Sequence, residues 1–489
     1  MAKRLNQRLN QRIAITVLVL GLVLGFGPLD AQARDLEPQG MEGQVLTGKL
    51  DEKARAERAM PRRVDAAAPI GFEMRLEPLA EASTLEKSEP IKGFGSRVKI
   101  GEHREMPAAF RTEMGARDLV WEPARGGGEV AAFSVSSPGA EALRVALDFR
   151  RLPRGAEVRF YAPGETAAAG GSFEADFLTT QRKSLGDGEA FWSPVVHGET
   201  AVVEIWVPSW RRGADVRVSV REISHIHESL AAKDLSDIGS SGSCNKDIAC
   251  FKKWLTAGDA VAKIVYESGG GTFLCTGQLM ANPKEKFLFL TAAHCISTRN
   301  EGNSMIAFWR FQRASCGGGD PTTVIQTGGG AKLLFTSRSG SAGLVTDHTL
   351  LQLRRDPTDE LGPVSLLGWW VGDDPEDNLR KKIHAAHHPS GDVKRGSRGK
   401  VQDLWQLQPD GSLATANPPT HYQVGWNRGT TEGGSSGSPI LIGKRWPKQY
   451  VIGVLTGGLA SCSAKKEPDF YGLFEETFRR YKKFRKRFQ

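Results

Sequence analysis

Leu290-Thr291-Ala292-Ala293-His294-Cys295 closes an apolar run that begins at Phe287. Small residues precede the histidine and a cysteine follows it. The placement offers a proton acceptor fixed at the end of a strand, where a base has to sit if it is to serve a nucleophile. A lone histidine carries no such meaning, so the partners must be sought elsewhere in the chain.

A second stretch, Gly433-Gly434-Ser435-Ser436-Gly437-Ser438-Pro439, can supply a hydroxyl and oxyanion donors. Its glycines allow a tight turn in which successive N–H groups point at one spot. An isolated Gly/Ser run is often a linker, but Ile440-Leu441-Ile442 follows at once and reads as a strand. Between the two stretches lies Thr346-Asp347-His348-Thr349-Leu350-Leu351-Gln352-Leu353. An aspartate leading into an apolar strand can be buried against an imidazole, fixing its tautomer and stabilising its cation. The order His294, Asp347, Ser436 is that of chymotrypsin-type proteases and not that of α/β-hydrolases.

Several further stretches carry a closer resemblance. Gly242-Ser243-Cys244, His387-His388-Pro389-Ser390-Gly391-Asp392, Thr431 to Pro439, Gly457 to Ser463 and Asp469-Phe470-Tyr471-Gly472 occur in the order found in bacterial lysyl endopeptidases of the trypsin superfamily. The chain resembles that family from Gly239 to about Phe474. The resemblance implies a trypsin-like double β-barrel, cleavage after lysine with arginine as the second candidate, and an acyl-enzyme mechanism through His294, Asp347 and Ser436. It implies oxyanion donors at the Gly434 and Ser436 N–H groups. It also implies a specificity pocket with Asp469 at its floor and Thr456, Gly457 and Gly458 along its wall. A buried carboxylate favours a cationic side chain and rejects a neutral one, which would leave it unpaired.

Two departures stand out. The related enzymes carry a histidine where this chain has Thr456. They also cut themselves after lysine at the start of the mature enzyme, whereas Ile238 precedes Gly239 here and the nearest upstream lysine is Lys233. Lys233 or another protease is left as the route to maturation.

The chain has 489 residues, 39% of them hydrophobic and 25% charged, enough for two or three domains. Fifty-six glycines and many short apolar runs point to a mainly β protein rich in turns. Lys3, Arg4, Arg8 and Arg12 precede the apolar run Ile13–Gly27, and Ala31-Gln32-Ala33 follows; this is the order of a secretory signal. The apolar run is shorter than the roughly 20 residues a membrane helix needs. Export suits the cysteines. There are six, Cys244, Cys250, Cys275, Cys295, Cys316 and Cys462, all in one half of the chain, which suggests three disulfides without fixing their pairing. The family resemblance implies Cys244–Cys462, Cys250–Cys316 and Cys275–Cys295. No CxxC pair is present to suggest zinc, and His384, His387 and His388 lie in a family stretch for which no metal is implied.

The expected organisation is a signal peptide over 1–33, a loosely ordered pro-segment over 34–110 and a small antiparallel β-sandwich over 111–228. A linker over 229–238, a protease domain over 239–478 and a basic tail over 479–489 complete it. In the sandwich, Val203, Ile205 and Val207 alternate as a half-buried strand requires. The tail helps give the chain its formal net charge of +9 and reads as a solvated helix end, or as a patch for an anionic surface. No nucleic-acid motif accompanies it. The expected protein is a secreted (or periplasmic) monomer acting on peptide substrates, with no cofactor, no metal and no membrane span once the signal is removed. Two other readings compete: a binding protein in which the sandwich is the working module, and an esterase using the same triad, which a cation-selective Asp469 pocket would disfavour.

Overall fold

The computed structural model describes residues 36–65, 70, 72–79, 97–185, 189–210, 215–227, 241–321, 324–338, 344–408, 412–415 and 417–489. The expected signal peptide, the whole of the expected linker and the expected maturation point at Gly239 lie outside these. The apolar runs of the second half become strands: Val261–Ser268, Leu288–Ala292, Leu344–Leu353 and Lys448–Gly458. Six strands close a ring in the C-terminal part. Lys448–Gly458 pairs with Pro439–Arg445, which pairs with Lys382–His387, then Arg395–Leu407, His421–Arg428 and Asp469–Leu473, which returns to Lys448–Gly458. Val261–Ser268, Gly271–Met280, Leu288–Ala292, Leu344–Leu353 and Ala331–Arg338 follow one another in another sheet, which comes earlier in the chain and is the first barrel, the closed ring being the second. The molecule is a mainly β, double-barrel protease fold preceded by an antiparallel sandwich.

The sandwich obeys its alternation. Ala201, Val203, Ile205 and Val207 enter its core with Phe133, Phe160 and Phe173, while Val202 lies in a separate small cluster on the other face. That other face is not left to water. Glu204 is fully buried there, accepting hydrogen bonds from Tyr161 Oη and from the backbone N–H groups of Arg62 and Arg63.

Those two arginines belong to the segment expected to be loosely ordered, and here the structure differs. Within 34–110 lie strands Gln39–Met41, Gln44–Leu46, Glu73–Arg75 and Val98–Glu105 and a helix Glu52–Ala59 capped by Asp51. No periodicity announces these strands because their partners lie elsewhere. Gln39–Met41 pairs with residues 369–371, Gln44–Leu46 with 364–366, and Glu73–Arg75 with 134–136. Val98–Glu105 is shared: one edge pairs with Arg217–Ile226 of the sandwich, the other with Gly271–Met280 of the first barrel. The sandwich therefore starts before residue 111 and is continuous with the protease sheet. The basic tail also differs from a solvated end. Phe484 and Phe488 are buried among Trp369, Phe474 and Phe478, leaving Lys482, Lys483, Lys486 and Arg487 on the surface.

Candidate active site

Strand register decides where the histidine and aspartate meet. Leu288–Ala292 runs antiparallel to Leu344–Leu353 with Ala292 opposite His348. The next residues on each side, Ala293 and Asp347, join through an Ala293 N–H to Asp347 carbonyl bond of 3.0 Å. The Asp347 carboxylate then grips His294 twice: Oδ1 accepts from its backbone N–H at 2.8 Å and Oδ2 bonds ring Nδ1 at 2.6 Å. Asp347 is fully buried and holds φ of +55°, a left-handed backbone that costs a non-glycine residue roughly 1–3 kcal/mol and clusters at functional sites. With Nδ1 engaged, His294 Nε2 is left buried without a hydrogen-bond partner among the described residues.

The Gly/Ser turn packs against the same strand region. Gly437 has φ of +86°, and a Cβ there would stand 2.2 Å from Thr276 O, 2.3 Å from Thr291 Oγ1 and 3.0 Å from Ala292 N. Only glycine allows this approach. Thr276 N–H donates to Ser436 O at 2.8 Å, and Thr276 Oγ1 donates to Gly434 O at 2.9 Å. Gly437 N–H donates to Leu455 O and Leu455 N–H to Ser438 O, which docks the turn on the second barrel. The Gly434 and Ser436 N–H groups make no hydrogen bond among the described residues. Ser436 is 8% exposed.

Asp469 is fully buried at the start of Asp469–Leu473. Its Oδ2 accepts hydrogen bonds from Trp426 Nε1 at 2.7 Å and Thr431 Oγ1 at 2.6 Å. Gly458 lies opposite in the ladder, and a Cβ on it would come within 2.4 Å of Asp469 Oδ1. Thr456 is also buried, its Oγ1 3.0 Å from His421 Nε2. Burial lowers the pKa of His421 to about 4, and the negative charge of Asp347 offsets this only in part. His421 is therefore neutral at neutral pH. His421 and Trp426 carry no local sequence signal; only the register of His421–Arg428 against Asp469–Leu473 brings them to Thr456 and Asp469.

The six cysteines form Cys244–Cys462, Cys250–Cys316 and Cys275–Cys295. The last bridge ties the strand beneath the serine turn to the residue after His294. Among the described residues, Cys275, His294 and Cys295 form the single group of metal-ligating side chains, and its two sulfurs are spent on that bridge. His384 stacks on Trp254 at 4.0 Å, His387 lies between two serine hydroxyls, and His388 Nδ1 is 3.0 Å from Asp392 O.

Comparison with known proteins adds the following. Residues 238–472 match the lysyl endopeptidase C-terminal domain and residues 75–227 the lysyl endopeptidase N-terminal domain. A lysyl endopeptidase of Pseudomonas aeruginosa is 30% identical over 460 residues, covering 89% of this chain and 91% of that protein. Among solved structures, a thermostable serine protease from an extremophilic microorganism aligns with a TM-score of 0.30 at 16% identity, over 45% of this chain and 93% of its own. An HtrA-type protease with a tripeptide aligns with a TM-score of 0.30 at 15% identity, over 46% of this chain and 59% of its own.

Proposed function

The chain belongs to the lysyl endopeptidase family and is a serine endopeptidase, and from that premise we propose that it is exported and cuts peptide bonds after lysine. In this reading Ser436 Oγ attacks the substrate carbonyl and His294 Nε2 takes its proton. Asp347 keeps Nδ1 protonated and stabilises the imidazolium. The oxyanion accepts hydrogen bonds from the Gly434 and Ser436 N–H groups. The amine leaves with the proton from His294, and water repeats the sequence on the acyl-enzyme. The observation that carries the reading is the two-point grip of Asp347 on His294 with Nε2 left over, beside a turn with two unspent N–H donors.

Lysine preference rests on Asp469. A carboxylate pinned by Trp426 and Thr431 and fully buried has a fixed position, and an entering ammonium recovers by pairing what it loses in water. The test is kcat/KM on peptide amides differing only before the cut: Lys, Arg, Leu and Phe. Lysine leads, arginine follows, and Asp469→Ala lowers the lysine value by roughly 150- to 5,000-fold, since breaking a buried charge pair costs about 3–5 kcal/mol. Preference for Leu or Phe would remove Asp469 from this role. Ser436→Ala lowers kcat by about a millionfold, and retention of near-normal activity by that variant would overturn the mechanism.

A further inference from the structure

The His387-His388 pair has no part in the mechanism above, yet it sits directly under the serine turn. His387 is fully buried, with Nδ1 2.9 Å from Ser435 Oγ and Nε2 2.9 Å from Ser397 Oγ. The donors can be assigned along this chain. Ser397 Oγ gives its hydrogen to Thr430 O at 2.7 Å, so it accepts from His387 Nε2–H. A neutral imidazole protonated at Nε2 has a lone pair on Nδ1, so Ser435 Oγ–H donates there. Ser435 Oγ in turn accepts from Glu432 N–H at 3.2 Å. The result is one directional line, Glu432 N–H to Ser435 to His387 to Ser397 to Thr430 O, with each hydroxyl both donating and accepting. The backbone after His387 braces the same turn. His388 N–H donates to Thr276 Oγ1, which donates to Gly434 O, and Ser390 N–H donates to Gly433 O.

The line runs through Ser435, the residue between the two oxyanion donors. Rotation of the Ser435–Ser436 peptide unit would swing the Ser436 N–H away from the Gly434 N–H, whose own unit is held by the Ser390 N–H bond to Gly433 O. We propose that His387 is a positioning residue of this protease: through the Ser435 hydroxyl it holds the turn in which the Gly434 and Ser436 N–H groups converge. The proposal rests on Ser436 as nucleophile and on those two amides as its oxyanion donors. It makes a hydrogen-bond relay, built entirely from residues inside the protease domain, the support of the oxyanion turn.

The test compares His387→Ala, His387→Asn, His387→Gln, Ser435→Ala and the Ala/Ala double variant, each expressed as the full chain and assayed in the form in which the wild type is active. The readouts are kcat, KM, the Ki of a peptide aldehyde that forms a tetrahedral adduct, and Tm. Loss of one oxyanion donor outright costs about 10²–10³-fold in kcat; mispositioning two is expected to cost roughly 10- to 100-fold. His387→Ala and Ser435→Ala therefore lower kcat with KM nearly unchanged and raise the aldehyde Ki by the same factor. The double variant is no worse than the worse single one, because both break one line. Asn, whose carbonyl can stand near the Nδ1 position, restores part of kcat. Gln, whose amide reaches toward Nε2 and Ser397, does not. Wild-type kcat and Ki in Ser435→Ala, a rise in KM alone, or rescue by Gln equal to that by Asn overturns the proposal. Should His387→Ala fail to fold, Ser435→Ala and His387→Asn decide it. Ser436→Ala separates the two levels. An active Ser436→Ala removes the catalytic reading itself, whereas an inactive one beside a fully active Ser435→Ala removes only the role of His387.

Discussion

At the scale of single residues, the proposed site is organised by hydrogen bonds that fix His294 and leave its Nε2 unengaged among the described residues. Asp347 illustrates this. Both its oxygens hold His294, so the imidazole has one orientation and one tautomer. Asp347→Asn keeps the shape but offers an amide donor to Nδ1, which turns the ring into the wrong tautomer. The expected result is a fall in kcat of about 10⁴-fold with little change in Tm, measured by amide hydrolysis and thermal melting. A drop of less than tenfold would detach Asp347 from the imidazole. The three residues proposed as the triad stand out in the sequence because each sits in a local pattern: small residues before His294, glycines around Ser436, an apolar strand after Asp347. The left-handed backbone of Asp347 was not, since aspartate tolerates that region without a marker such as glycine. Neither were Trp426 and Thr431 as partners of Asp469, because their meeting depends on strand register and not on neighbours in the chain.

At the scale of elements, the turn from Thr431 to Pro439 depends on glycine to different degrees at different positions. Gly437 combines φ of +86° with backbone atoms of Thr276 and Ala292 inside the space of a Cβ. Gly139 in the sandwich has φ of +81° and nothing within 4 Å of the same position. Alanine at Gly139 therefore meets only the left-handed backbone strain, about 1–2 kcal/mol. Alanine at Gly437 meets that strain and a clash that only movement of the turn, or of both Gly271–Met280 and Leu288–Ala292, can relieve. Gly437→Ala is expected to lower Tm more than Gly139→Ala and to reduce kcat by at least tenfold, while Gly139→Ala leaves kcat unchanged. Equal effects on kcat would mean that the turn tolerates displacement. The strands that carry this turn were legible, since their apolar runs are bounded by glycines. The strands at 39–46 and 98–105 were not. A strand of three residues, or one with charged residues at several positions, has no pattern of its own and takes its structure from the edge it joins.

At the scale of the whole molecule, the N-terminal region is joined to the protease by far more than the covalent linker. Val98–Glu105 extends one sheet from the sandwich into the first barrel, and Gln39–Met41 and Gln44–Leu46 add edges on the other side. Arg355 reaches from the protease to the carbonyls of Gly170 and Ser172 and lies over the Phe173 ring at 4.3 Å. The fully buried Arg144 of the sandwich bonds Glu267 of the barrel and Ser304 O. Beside it, His103 stands between Glu222 at 3.2 Å and Glu267 at 2.8 Å, with Thr272 Oγ1 also donating to Glu267. Burial opposes a charge on His103, but the two carboxylates outweigh it and raise its pKa to about 9. The charged group thus belongs to the assembled state. Its stabilisation is complete below the unfolded value of about 6.5 and is lost as pH climbs through about 9. A single cut engineered between residues 228 and 240 is therefore expected to leave both parts co-eluting on size exclusion at neutral pH. Their separation in mild denaturant becomes easier above about pH 9, and His103→Gln flattens that dependence. Separation at neutral pH without denaturant would show that the shared sheet contributes little once the chain is cut. Unchanged denaturant resistance across that pH range would remove His103 from the joint while leaving the sheet in place.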